Sequence, residues 1–149
     1  MTSAIFSSLH LLALAIGLPA IYFRGRALKG PLDAEGFRRL FAADNAWGIA
    51  AVLWITTGAL RAFAGFEKGT DFYLHSRMFW LKMALFVALL LLEAWPMASF
   101  IRWRRRLARG RTPDTSRARA LYVLSHVEMA LVVVIVFVAS LMARGFGLR

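Results

Sequence analysis

The stretch Met78–Ile101 reads MFWLKMALFVALLLLEAWPMASFI, and Lys82 and Glu93 are its ionisable side chains. At about 1.5 Å of rise per residue, a helix of this length crosses a hydrocarbon layer of about 30 Å. No water is available there to satisfy backbone N–H and C=O groups, so the run can only be a helix. Three more apolar runs of similar length, Ala4–Phe23, Ala43–Phe63 and Ala120–Met142, accompany it in a chain of 149 residues. The fold expected is all-α: an integral membrane four-helix bundle, a single transmembrane domain over 1–149 with no obvious repeat.

The basic residues then orient the bundle. The connection after the first run holds Arg24, Arg26, Lys29, Arg38 and Arg39; the one after the third holds Arg102, Arg104, Arg105, Arg106, Arg109, Arg111, Arg117 and Arg119. The opposite side holds Arg61, Lys68, Arg77, Arg144 and Arg149. Short basic loops are retained in the cytoplasm, so both termini and the Glu67–Arg77 connection are expected on the outer, periplasmic side of a bacterial inner (plasma) membrane.

A net charge of +11 raises the question of nucleic acid. The excess sits where topology requires it, and four spans leave no room for a groove-reading or base-stacking module, so nucleic acid is excluded. The basic loops are instead expected to lie against anionic lipid headgroups. The absence of cysteine excludes disulfides, thiolate metal sites and iron–sulfur clusters. Met1–Ser8 carries no Lys or Arg, which argues against a cleaved signal peptide. Asp33 is placed to cap a helix leading through Phe37-Arg38-Arg39-Leu40-Phe41 into the second span. Run three is expected to continue past Trp103 and to break at Gly110, Pro113 and Asp114. Pro19 and Pro96 are expected near helix ends on the basic side, where a kink costs little.

Ionisable groups inside a span are costly and mark candidate function. Here they are His10, Asp44, Arg61, Lys82, Glu93, His126 and Glu128. His10 falls about 9 Å and Lys82 about 6 Å below the outer edge, so the two are level. His126 falls about 9 Å from the opposite edge, too far in height for His10 and His126 to ligate one metal. Lys82, Leu89 and Glu93 share one face of the third helix, which should point into the bundle. Asp44, Gly48, Ala51, Ile55 and Gly58 form a small-residue stripe on the second helix, suited to close approach of another backbone. His126 and Glu128 point about 160° apart, so one of them faces inward. Asp44, Glu93 and Glu128 lie at similar depth and suit protons or a hard cation. Trp47, Trp54, Trp80, Trp95 and Trp103 read as membrane-interface anchors.

In the outer half His10, Arg61, Glu67, Lys68, His75, Lys82 and Arg144 converge by depth. Glu67 and Asp71 are too few to neutralise the cations, which points to an anionic ligand: haem propionates, a quinone headgroup or a lipid phosphate.

Glu67-Lys68-Gly69 with Tyr73, Phe79 and Lys82, together with His10, Asp44, Gly58-x-x-Arg61, Trp103-Arg104 and Met142-Ala143-Arg144-Gly145, resembles the bacterial membrane-protein family catalogued as domain of unknown function 2214. The resemblance covers the whole chain and implies no established activity. More distantly, His10 followed by Gly17-Leu18-Pro19, then Arg38-Arg39-Leu40-Phe41, then Trp80-x-Lys82-x-x-Leu85, resembles the HemJ-type membrane protoporphyrinogen oxidases and the copper-resistance D-like proteins. The HemJ-type resemblance implies a haem b held in a four-helix bundle by a helix-one histidine. That pattern has a histidine where this chain has Trp80.

Two functional classes are therefore expected to compete. One is a haem-b-binding redox bundle with His10 as the metal ligand and Lys82, Arg61 and Arg144 as cofactor-binding cations. The other is a non-catalytic accessory, assembly or transport-related subunit whose buried polar groups specify packing. Homo-oligomerisation or membership of a larger membrane complex is compatible with both.

Overall fold

A computed structural model describes residues 2–64 and 74–147; Glu67, Lys68 and Asp71 lie outside the described residues. Among these residues the chain forms four long helices: α1 (Thr2–Lys29), α2 (Ala34–Phe63), α3 (Arg77–Ala108) and α4 (Ala118–Ala143). All four are long and apolar enough to cross a membrane.

Each helix outruns its apolar stretch toward the basic loops. α1 continues through Arg24–Lys29 until Gly30-Pro31 stops it, because proline excludes the helical region for the residue before it. Asp33 opens α2 with its Oδ1 accepting from the Gly36 N–H at 2.8 Å, the expected cap. α3 runs on to Ala108 as the arginine-rich extension beyond Trp103 predicts. Pro19 and Pro96 consequently lie well inside α1 and α3 rather than near their ends.

Two glycines end α3 and α4 in the same way. At Gly110 (φ +65°) the Arg111 N–H reaches Arg106 O at 2.9 Å and the Gly110 N–H reaches Leu107 O at 2.9 Å. At Gly145 (φ +82°) Phe146 N–H bonds Leu141 O at 3.2 Å and Gly145 N–H bonds Met142 O at 3.0 Å. Both are Schellman closures, which satisfy the last carbonyls and need a residue at positive φ. Beyond the second, Gly147 O accepts from Arg77 N–H at 3.0 Å, tying the tail to the start of α3. In the basic loop Asp114 accepts from the Ser116 N–H at 3.0 Å, which holds its carboxyl below the usual range.

The helices pack in the order α2, α1, α4, α3 around the bundle, and backbones approach closely on those three sides. The fourth side, between α3 and α2, is bridged by side chains: Trp54 against Phe86, Phe37 against Trp103, and Asp44 with Arg104. A central core joins Ala13, Ile21, Trp47, Ala50, Trp54, Leu89, Val132 and Ile135. A second core at the basic end joins Leu28, Phe37, Leu40, Phe100, Trp103 and Leu121.

This packing corrects two expectations. Gly48 has nothing within 4 Å of an added Cβ, so the stripe is not in close contact along its length; it meets α1 at its ends, where Asp44 faces Arg24 and a Cβ on Gly58 would stand 3.3 Å from His10 Cε1. The buried face runs one position earlier, through Leu40, Ala43, Trp47, Ala50, Trp54 and Thr57. The tightest of the helix–helix approaches at a glycine is at Gly17 of α1, where a Cβ would stand 3.0 Å from Trp47 Cζ3. Trp47, Trp54 and Trp103 are accordingly core residues, Trp47 over Gly17, Trp54 against His10 and Phe86, and Trp103 against Phe37 and Phe100; Trp80 and Trp95 are exposed.

Candidate functional site

Polar chemistry is concentrated in two places. At the basic end Arg24 is wholly buried, and its guanidinium receives a carboxylate from each of the other three helices. Glu93 of α3 takes it bidentately, Nη1 to Oε1 at 2.7 Å and Nη2 to Oε2 at 3.0 Å. Glu128 of α4 accepts from the same Nη2. Asp44 of α2 lies 3.6 Å from Nη1 and also accepts from Arg104 Nη2 at 2.8 Å. The Phe100 ring lies beneath Arg24, 5.8 Å from its Cζ, and Arg104 stacks on Phe41 at 4.3 Å. Glu128 Oε1 and Arg24 Nε are buried with no hydrogen-bond partner.

Arg24, expected in the loop after the first span, lies inside the bundle. Its position continues the buried stripe of α1, through Ala13, Gly17, Ala20 and Ile21, so the helical period carries the signal. Arg104, the second cation of the cluster, has no such signal among its arginine neighbours.

The three acids singled out in the sequence do meet, but around a guanidinium. Among the described residues no three His, Cys, Asp or Glu side chains are placed to hold a metal ion. Lys82, Leu89 and Glu93 share the inward face of α3, as their spacing implies: Leu89 is buried, Glu93 meets Arg24 and Lys82 lines the cavity described next. Of His126 and Glu128 it is Glu128 that is buried. His126 pairs its Nδ1 with Tyr122 O at 2.9 Å, and its ring packs where a Cβ on Gly25 would come within 3.2 Å.

The second place is a cavity of about 440 Å³ in the half of the bundle that holds both termini. All four helices line it, with His10, Trp54, Gly58, Arg61, Phe79, Lys82, Phe86, Ile135 and Met142 among the walls. His10 Nδ1 lies 2.8 Å from Thr57 Oγ1, whose hydroxyl donates to Leu53 O at 2.6 Å. Because that proton is spent on the carbonyl, the hydroxyl accepts from His10, which assigns the proton to Nδ1 and the lone pair to Nε2. Trp54 holds the imidazole from the side, with ring centroids 5.8 Å apart. Thr57, which fixes this tautomer, went unnoticed in the sequence because a threonine in a span is usually bonded to its own helix.

Arg144 is exposed at the end of α4 and is not a wall of the cavity, and His75 is exposed in the turn before α3. A smaller cavity of about 210 Å³ lies at the basic end, lined by Ser99, Arg102, Trp103, Arg106, Asp114, Arg117 and Leu121.

No curated protein and no solved structure matches the chain. Residues 2–147 match the family described as "Predicted membrane protein (DUF2214)", and with four membrane-length helices around a polar interior the chain belongs to that family.

Proposed function

We propose that this protein is a haem-b-binding redox protein of the bacterial inner membrane, in which His10 would hold the haem. The observation that carries the reading is the cavity: about 440 Å³, within the range of roughly 300–1,000 Å³ typical of small-molecule sites, with a tautomer-fixed imidazole in its wall. A metal-ligating histidine is ordinarily oriented by a hydrogen bond from its other nitrogen, and Thr57 supplies that bond. Trp54, Phe79 and Phe86 give flat apolar walls, and Arg61 and Lys82 stand in the same walls as cations suited to propionate carboxylates. The HemJ-type resemblance at His10 and Lys82 implies the same ligand. Haem, when bound, supplies reversible one-electron transfer. His10 would hold it and Thr57 would keep the imidazole in position. Arg102, Arg106 and Arg117 around the smaller cavity suit anionic lipid headgroups as further partners.

The test is the absorption spectrum of protein purified from haem-replete cells. A Soret band with reducible α and β bands is expected, lost in His10→Ala and weakened in Thr57→Val. A colourless protein of normal stability that takes up no added haem overturns the reading and favours the accessory-subunit alternative.

A further inference from the structure

The charge balance around Arg24 does not close. Asp44, Glu93 and Glu128 bring three negative charges, and Arg24 and Arg104 bring two positive ones. The side chains of Arg24 and Glu128 are 0% exposed, and those of Asp44 and Glu93 are 18% exposed. An uncompensated unit charge in such a place costs several kcal/mol, and the usual remedy is neutralisation by a proton.

The geometry indicates where that proton goes. The four Nη hydrogens of Arg24 are directed at Glu93 Oε1 and Oε2, at Glu128 Oε2 and toward Asp44. Glu93 thereby has both oxygens served, and Asp44 has Arg104 besides. Glu128 has one oxygen served, and its Oε1 is buried with no donor near it. Two carboxylate oxygens, from Glu93 and Glu128, crowd one nitrogen of Arg24. An ionised Glu128 would leave half of its charge unsolvated.

We infer that the Arg24 cluster is a proton-binding site, holding one exchangeable proton on Glu128. All four helices contribute: Arg24 from α1, Asp44 from α2, Glu93 and Arg104 from α3, and Glu128 from α4. His126, the other titratable group on this part of α4, turns to Gly25 and Tyr122. Exchange proceeds through Glu93 and Asp44, the members with some exposure, on the side where Arg104 enters. The site is separate from the His10 cavity and does not depend on anything binding there.

Infrared spectroscopy of the purified protein at neutral pH tests the assignment. A buried carboxylic acid gives a C=O stretch that is resolved from carboxylates and shifts in D2O; one such group per chain is expected. Glu128→Gln should abolish it. Asp44→Asn should abolish it as well, although Glu128 is untouched, because two acids then balance two arginines. Arg104→Gln should about double it. No such band in the wild type overturns the proposal, whether or not any variant folds. A band unmoved by Asp44→Asn overturns the charge-balance account. A band that disappears on adding sodium and returns on its removal would make the site one for a metal cation instead.

Discussion

Arg24 is the residue on which the basic half of the bundle converges. Removing one partner of a buried ion pair leaves the others as unpaired charges, at a cost of about 3–5 kcal/mol. Arg24→Met is therefore expected to lower unfolding stability in detergent by that order. Arg102→Gln, at an exposed residue, should stay within about 0.5 kcal/mol of wild type. Equal loss in the two variants would show that the cluster does not hold the helices together. The acids of the cluster were legible in the sequence because a carboxylate inside a span is conspicuous wherever it falls. Arg24 was not, because an arginine just past an apolar run looks like every other loop arginine. What separates it is the helix continuing underneath it and the phase of Ala13, Gly17 and Ile21, which turns it inward. His10 was visible as a lone imidazole, whereas its partner Thr57 emerges only once α1 and α2 are side by side.

At the scale of the helices, the spans, the Asp33 cap and the stop at Gly110 follow from composition and are found where composition puts them. The contact face of α2 does not follow. Its small residues and its buried residues differ in phase: Trp47 fills the contact over Gly17 of α1, Gly48 meets nothing, and Gly58 meets α1 at His10. Gly17→Val should accordingly lower the melting temperature markedly, since Trp47 and Ala50 stand within 3.4 Å of the new Cβ, while Gly48→Val should leave it nearly unchanged. The reverse order, read from thermal unfolding of the two variants, would restore the stripe through Gly48 as the contact face. Asp33→Ala should cost about 1 kcal/mol through the lost cap.

At the scale of the whole molecule, transferring Arg24 from loop to interior leaves twelve basic residues flanking one end, from Arg26 to Arg119, against the five on the other. The asymmetry keeps its sign, so a C-terminal alkaline phosphatase fusion should be active and a fusion at Gly110 inactive. The opposite pattern would invert the bundle. The side between α2 and α3, where backbones stay apart, has a further consequence. Ile55, Ala59 and Phe63 of α2 are walls of the cavity and are themselves exposed, and in a membrane an opening at this wall meets lipid. For a hydrophobic guest of the kind proposed, the expected route to the cavity is lateral diffusion within the membrane, without crossing water. Occupancy would then follow the guest's mole fraction in the bilayer, and adding empty lipid at a fixed volume of buffer is expected to lower it.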